Sequence, residues 1–523
     1  MKIELYDTTL RDGAQSPGIS FTTQDKLRVI AALDEFGIPY IEAGNPGSNP
    51  KDKEVFEKAA DLNLKNSKLC AFCPTCRAKA SPQSDEALTR TAGAKTEIVT
   101  LVGKSWLLHV KKIIKTTAKE NLRIISDSIK FFKDSQKTVF FDAEHFFDGY
   151  NDNFGYALEV LQSASEAGAS AITLCDTNGG TMPEKIGEIT AAAAKYIDIP
   201  LGIHCHDDNG LAVAGSLCAV KNGALLVQAT VNGIGERCGN ANLCVVLPNL
   251  QLKMGCFCLP DQKLRGLAPL ARYIAEISNI AFDEKTPYVG GYAFTHKGGM
   301  HIDAVNKAPD SFEHITPESI GNTRDTLVSE VAGRAALMNK MNPLSPGLTK
   351  DSPELIEALE LIKSRENDGY QFENAEGSLA LLLLKSLKKR KTYFSVETFK
   401  LVLSEPDAKS SRPGALVKVK VDGIEEITAA EGDGPVNALD RALRRALTTF
   451  YPKLGDMKLI DFKVRVLNSN AATAAKVRVL IESSDGIRIW RTVGVSTDII
   501  EASWNALLDS VEYKLSLDDG LLG

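Results

Sequence analysis

The chain has 523 residues, of which 44% are hydrophobic and 24% charged, as is typical of a folded globular protein with several domains. A net charge of −6 excludes a general electrostatic affinity for nucleic acid or anionic membranes, and no apolar run approaches the ~20 residues that cross a bilayer. The ten cysteines all lie between Cys70 and Cys258, mostly in apolar runs, and the N-terminus lacks a signal-peptide pattern. We therefore expect reduced thiols and a cytoplasmic protein.

In chain order, the first half alternates short β-rich segments with helical patterns. The segment Thr23–Phe36 is representative, because Leu27, Ile30 and Leu33 fall on one face of a helix. Eight strands joined by helices within about 250 residues predict a (β/α)8 TIM barrel. A doubly wound sheet also uses βα units, but it has fewer strands and a glycine-rich first turn. The first turn of this chain, Arg11–Gln15, is not glycine-rich. The predicted strands are Ile3–Thr8, Tyr40–Gly44, Lys68–Phe72, Glu97–Val102, Thr138–Glu144, Ala171–Asp176, Leu201–His206 and Leu226–Asn232.

The remaining sequence predicts two further regions. We expect the catalytic barrel at 1–275, lid and helical linker subdomains at 276–400, and a small α+β regulatory domain at 401–523, with boundary segments at Asn342–Ser352 and Lys409–Gly414. In the last region, two strands, a glycine-containing loop and a helix occur twice, which indicates an internal duplication. This region lacks histidine and cysteine, so ligand sensing or dimerisation fits it better than catalysis. Its predicted elements are the strands Ala415–Val421, Ile424–Ala430, Lys476–Ser483 and Ile487–Val495 and the helices Val436–Thr448 and Ile499–Leu515.

The ends of the predicted barrel strands contain a candidate metal site. His204 and His206 are two residues apart on strand seven, so both side chains point to the same face. A His-x-His pair alone is as often a surface or core feature, but at a barrel strand end it favours a divalent metal. Asp12 would supply a carboxylate from the strand-one loop, and Asn240 a fourth ligand. Such a set leaves coordination positions for substrate, as in catalytic sites.

Two glycine-containing segments add candidate residues. Gly233–Asn240 has the wrong spacing and position for a dinucleotide motif, so we interpret it as a tight loop beside the metal, with Glu236 orienting a ligand. In Thr295–Asp303, glycines beside His296 and His301 predict a mobile lid that carries a catalytic base. Ordinary surface histidines are the alternative interpretation of this lid segment.

Together these motifs resemble the 2-isopropylmalate, homocitrate and citramalate synthase family over essentially the whole chain. Asp7–Gly13, His204–Asp208, Gly233–Asn240 and His296–His301 match the family's motifs in order, and the duplicated C-terminal unit resembles its regulatory domain. The variants at Asp12–Gly18 and Pro46–Asp52 are most similar to the citramalate synthase branch.

The resemblance implies a condensation of acetyl-CoA with a 2-oxo acid, pyruvate in this branch, on one bound Mg²⁺, Mn²⁺ or Zn²⁺ ion. Arg11 would stabilise negative charge on oxygen, Glu144 would act as an acid or base, and His301 would help to remove a proton from acetyl-CoA. Gln15 and Thr177 would contact the substrate. The resemblance also implies a homodimer inhibited by a branched-chain amino acid, isoleucine in this branch, whose carboxylate we expect at the helix start after Gly434.

One departure and several alternatives remain. Relatives commonly carry a tyrosine about ten residues after the lid histidine, where this chain has Phe312. A 2-isopropylmalate synthase, acting on 2-oxoisovalerate, is the alternative within the family. An acyl-CoA lyase would need a Gly-Cys-Pro loop, and an amidohydrolase-type metal hydrolase would carry His-x-His on its first strand. A catalytically silent sensor is disfavoured by the complete set of candidate catalytic residues.

Overall fold

The predicted (β/α)8 barrel is confirmed. A computed structural model describes residues 1–327, 334–402, 412–467 and 475–522. Eight parallel strands form a closed barrel in chain order, and the first strand pairs with the eighth. The strands are β1 (Glu4–Asp7), β2 (Tyr40–Gly44), β3 (Lys68–Pro74), β4 (Ile98–Lys104), β5 (Thr138–Glu144), β6 (Ala171–Asp176), β7 (Leu201–Cys205) and β8 (Ala224–Ala229).

Helices surround the barrel, and capping residues define where they begin and end. The predicted helix Thr23–Phe36 is present. It starts with a capping box, in which the side chains of Thr22 and Asp25 each accept a hydrogen bond from the other residue's backbone N–H group. It ends at Gly37, which has φ +103°. Helix Phe146–Glu166 is kinked at Asn153, whose backbone is not helical. The helices of this part are α1 (Thr23–Phe36), α2 (Pro50–Ala59), α3 (Glu86–Ala92), α4 (Ala118–Asp134), α5 (Phe146–Glu166), α6 (Pro183–Ala194), α7 (Ala212–Lys221), α8 (Leu243–Pro248), α9 (Asp261–Leu264) and α10 (Leu267–Ile277).

The chain divides into two compact units. The first contains Met1–Phe294 and Ile315–Arg324, and the second contains Thr295–His314 and Asp325–Gly523. The predicted bounds of the three domains remain predictions. Elements of the second unit are the helices α11 (Gly299–Lys307), α12 (Arg334–Met341), α13 (Pro353–Asn367), α14 (Glu376–Ser386), α15 (Pro435–Thr448) and α16 (Ile499–Asp518) and the strands β9 (Thr295–His296), β10 (Asp325–Thr326), β11 (Ser395–Val402), β12 (Gly414–Val421), β13 (Ile424–Glu431), β14 (Lys458–Val466), β15 (Val477–Ser484) and β16 (Ile489–Ser496).

The duplicated C-terminal pattern contains three strands in each copy, where we expected two. The antiparallel sheets have the orders β11-β12-β13 and β14-β15-β16, and a helix follows each sheet in the chain. The first strand of each sheet is an edge strand with many exposed residues, so its hydrophobic pattern is weak. Gly494 lies inside β16, within the predicted strand Ile487–Val495. Residues 409–411 of the predicted boundary segment lie outside the described residues.

The structure also describes the state of the cysteines and the capacity of the helices to span a membrane. Eight of the ten cysteines are buried, whereas Cys218 is partly buried and Cys238 exposed, and all ten are free thiols. Within the described ranges, the helices are all too short or too polar to span a bilayer.

Candidate active site and metal centre

Three predicted metal ligands meet at the carboxyl end of the barrel. Asp12 follows β1, His204 lies on β7, and His206 comes directly after it; all three are buried. The Nε2 atoms of His204 and His206 lie 3.6 and 3.9 Å from Asp12 Oδ2. One potential ligand atom from each residue lies within 4.8 Å of the other two, so a single cation could contact all three.

The charges at this cluster suit a divalent cation. Burial by itself would raise the pKa of Asp12, but Arg11 and the two histidines outweigh it and hold that pKa below its ordinary value. Burial lowers the pKa of His204 to about 3, and it also lowers that of His206. The protein therefore presents one carboxylate and two neutral imidazoles, which are the protonation states that metal binding requires.

Asn240 lies beside this cluster. Its Nδ2 donates to Asp12 Oδ1 (3.1 Å) and to the carbonyl oxygen of Ile234 (3.3 Å). Its Oδ1 is buried and lacks a hydrogen-bond partner within the described part of the chain. A buried acceptor without a donor is costly, so the site fits a metal that would use this oxygen as a fourth ligand. A Cβ at Gly235 would lie 2.2 Å from Asn240 Nδ2, which explains the glycine at that position.

Arg11 is fixed by two carboxylates. Its Nε donates to Glu42 Oε2 (2.5 Å) and its Nη1 to Asp12 Oδ2 (2.8 Å), and its guanidinium lies 4.2 Å from the centroid of the Phe72 ring. Burial raises the pKa of Glu42, and Arg11 and the Tyr6 hydroxyl oppose that shift. The sequence placed Glu42 on strand two but did not predict its pairing with Arg11.

A cavity of about 230 Å³ opens beside these residues. It brings together every sequence-predicted barrel residue of the site except Asn240, which instead hydrogen-bonds to one of the lining residues. The cavity is lined by Arg11, Asp12, Gln15, Phe72, Val102, Asp142, Glu144, Cys175, Thr177, His204, His206 and Glu236.

Glu144 and Thr177 are held by residues that the sequence analysis missed. Glu144, at the end of β5, forms an ion pair with Lys104 at the end of β4. The backbone N–H of His145 donates to Thr177 Oγ1 (2.9 Å) from a left-handed conformation with φ +55°.

Asp142, another residue that lines the cavity, was also not predicted from the sequence. It accepts a hydrogen bond from Gln228, and burial raises its pKa to about 7.

The loop after β8 is tied to the loop after β7. Arg237 donates to both carboxylate oxygens of Asp208 (2.7 and 2.8 Å) and to the backbone oxygen of Thr177 (2.7 Å). This pairing gives Arg237 of the predicted tight loop a structural role, while Glu236 lines the cavity.

The predicted lid residues belong to the second unit. His296 Nε2 lies 3.0 Å from Glu313 Oε1. His301 is exposed on α11, and its ring centroid lies 4.4 Å from that of Phe312, the residue near the position where relatives commonly carry a tyrosine. The catalytic role of His301 remains a prediction.

Three protein families match successive parts of the chain. Residues 2–272 match the HMGL-like family. Residues 288–369 match the homocitrate synthase post-HMGL domain-like family, and residues 373–515 match the LeuA allosteric (dimerisation) domain.

Several curated proteins are similar over nearly their whole length. The (R)-citramalate synthase of Aquifex aeolicus is 49% identical over 520 residues, which cover 99% of this chain and 98% of that protein. The (R)-citramalate synthase of Geobacter sulfurreducens is 48% identical, over 100% of this chain and 99% of that protein. A probable 2-isopropylmalate synthase of Methanopyrus kandleri is 30% identical over 98% of both chains.

Proposed function

Because the chain belongs to the HMGL-like family and, within it, to the citramalate synthase branch, we propose that it condenses acetyl-CoA with pyruvate. Acetyl-CoA, pyruvate and water would give (R)-citramalate, CoA and a proton. The observation that carries this proposal is the 49% identity over nearly the full length of a curated (R)-citramalate synthase. The 2-isopropylmalate alternative is not favoured, since the relative of that name is 30% identical.

We further propose that Asp12, His204, His206 and Asn240 hold one divalent ion, either Mg²⁺, Mn²⁺ or Zn²⁺. The buried, unpartnered Oδ1 of Asn240 and the neutral imidazoles support this assignment. When bound, the ion would polarise the keto group of the oxo acid as a Lewis acid.

The cavity residues have chemistry that suits the condensation and the thioester hydrolysis that follows it. Arg11, held between Glu42 and Asp12, would stabilise the negative charge that develops on the former keto oxygen. Glu144 would exchange a proton with the reacting groups, and Gln15 and Thr177 would contact the oxo-acid carboxylate. His301 would help to remove the methyl proton of acetyl-CoA.

The second unit would regulate this activity. Its match to an allosteric and dimerisation domain supports a homodimer that binds a branched-chain amino acid, and we propose isoleucine. Exposed apolar side chains on the two C-terminal sheets, such as Ile427 and Ile489, are suited to contact another protein surface.

The substrate proposal is tested by measuring CoA release from acetyl-CoA with pyruvate and, separately, with 2-oxoisovalerate. Free thiol is followed colorimetrically, and the product is identified by chiral chromatography. A blank without oxo acid is required, because the exposed Cys238 would itself react with the thiol reagent. We expect a higher kcat/KM for pyruvate and the R product, with a preference worth about 1–3 kcal/mol per methyl-sized difference. A higher kcat/KM for 2-oxoisovalerate would refute the proposal.

A further inference from the structure

Lys104 lies next to the proposed acid/base residue although it does not line the cavity. It ends β4 and lies opposite Glu144 in the register of β4 with β5, so the two side chains project on the same side. Its Nζ pairs with Glu144 Oε2, and both side chains are about one-quarter exposed (24% and 23%). A lysine therefore contacts one oxygen of a cavity carboxylate.

The other acids of the cavity have different partners. Asp12 pairs with Arg11, and Asp142 accepts a hydrogen bond from Gln228. Among the described residues, Glu144 Oε1 accepts no hydrogen bond, whereas Oε2 accepts one from Lys104. The ammonium group thus holds one oxygen of the carboxylate and leaves the other available.

The backbone around this pair is held independently of the ammonium group. Ser105 donates to the Glu144 carbonyl oxygen through Oγ (2.6 Å) and through its backbone N–H (3.3 Å). The buried Asn121 side chain donates to the Lys104 carbonyl oxygen (2.8 Å). A Cβ at Gly149 would lie 2.4 Å from the Ser105 oxygen, so helix α5 packs directly on this segment. Removing the lysine charge should therefore leave the strand ends in place.

We propose that Lys104 is the positioning residue for Glu144: it fixes the carboxylate through Oε2, so that Oε1 is presented for proton transfer. This inference rests on the proposed role of Glu144. An unpaired glutamate would sample several side-chain rotamers, and proton transfer requires the reacting oxygen within hydrogen-bond reach. Arginine can supply the same charge at this exposure, whereas methionine keeps the length and loses the charge.

The test compares Lys104→Met, Lys104→Arg and Glu144→Gln with a matched control, Lys68→Met. Lys68 also pairs with a glutamate of a neighbouring strand segment, Glu97, but at the amino end of the barrel strands (3.2 Å). We expect Lys104→Met to lower kcat roughly ten- to a hundredfold with KM for pyruvate changed less than about threefold. Lys104→Arg should recover most of kcat, and Lys68→Met should match the wild type. Circular dichroism should be unchanged in all variants.

The double variant Lys104→Met/Glu144→Gln separates positioning from other roles. If Lys104 acts through Glu144, Lys104→Met should cause no further loss in the Glu144→Gln background. An equal loss in both backgrounds, or wild-type kcat in Lys104→Met beside an impaired Glu144→Gln, would overturn the positioning role alone. Wild-type kcat in Glu144→Gln would instead refute the proposed role of Glu144, and the inference with it.

Discussion

The barrel strands and the C-terminal sheets bury their side chains differently. β6 is buried at every position, whereas β12 is fully buried only at alternate residues. Because both faces of a barrel strand are covered, a side chain can reach a ligand only near the strand's end. A sheet with one open face instead presents rows of side chains along its length. Catalysis is therefore expected at strand ends in the first unit, and recognition of another surface in the second.

The two regions also stabilise buried carboxylates by different means. Glu42 in the barrel is paired with the cation Arg11. Asp509 on α16 accepts a hydrogen bond from Ser378 Oγ (2.6 Å), and its nearest Arg390 nitrogen is 3.7 Å away. A paired carboxylate is costly to separate from its cation, whereas one bonded mainly to a hydroxyl responds to pH.

The largest effect should follow removal of a metal ligand. His204→Ala should remove the bound ion and lower kcat/KM about a thousandfold or more, since Lewis-acid stabilisation is worth several kcal/mol. Metal content by mass spectrometry and steady-state kinetics measure the two effects. Cys205→Ala is the matched control, because this buried residue lies between the histidines and faces the other way. Full activity in metal-stripped wild-type protein would contradict the assignment.

Breaking the Arg11–Glu42 pair should affect both catalysis and stability. We expect Arg11→Met to lower kcat about 10²–10³-fold and to reduce the free energy of unfolding by about 3–5 kcal/mol, since Glu42 is left buried without its cation. Arg11→Met/Glu42→Gln should recover stability, measured by denaturant unfolding, but not kcat. Recovery of both properties would show that Arg11 serves only the fold.

Isoleucine should inhibit the full-length enzyme about 5- to 150-fold, the range of a 1–3 kcal/mol coupling. Gly434→Asp would place a carboxylate at the start of α15, where we expect the effector carboxylate, and should weaken inhibition without changing basal kcat. A Cβ at Gly434 meets no atom within 4 Å, and the same is true of Gly455, so Gly455→Asp is the control. If isoleucine neither binds nor changes the kinetics of the wild type, the sensing role fails.

The smallest effect should be the pH dependence of the C-terminal region. Burial raises the pKa of Asp509 to about 6, so its ionised form destabilises the fold at pH 7 and this cost disappears as the pH falls below 6 toward 4. Relative to Asp509→Asn, the wild type should gain about 1–2 kcal/mol between pH 7 and pH 4.5 after allowance for partial exposure. Thermal unfolding of both proteins across this range measures the difference.

Asp485 provides a control of opposite sign. Burial would raise its pKa, but the backbone N–H groups of Ile487 and Arg488, followed by Lys514, hold it below the ordinary value. The wild type should therefore lose stability relative to Asp485→Asn when the pH is lowered further, below the ordinary carboxyl pKa of 3.8 and through the lower folded pKa. The same trend in both comparisons would contradict the assigned pKa directions.

The sequence predicted the features that depend on local pattern. The bounds of β2, β5 and β6 agree with the predicted segments, because continuous apolar runs between polar strand ends are distinctive. The spacing of two residues between His204 and His206 was enough to predict that both side chains face the same way. The pairings of Lys104 with Glu144 and of Arg11 with Glu42 were not predicted, because they depend on register between strands. The edge strands β11 and β14 were missed since few of their side chains are buried.

The closure of the barrel has a consequence for the order of folding. Asp12 follows the first strand and Asn240 the last, and their hydrogen bond joins residues 228 positions apart. During translation at roughly 5–20 residues per second, the first strand would wait on the order of tens of seconds for its partner β8. Until then its edge stays unpaired and available for wrong contacts. Metal capture would therefore come late, and would mark the nascent chains in which the barrel has closed.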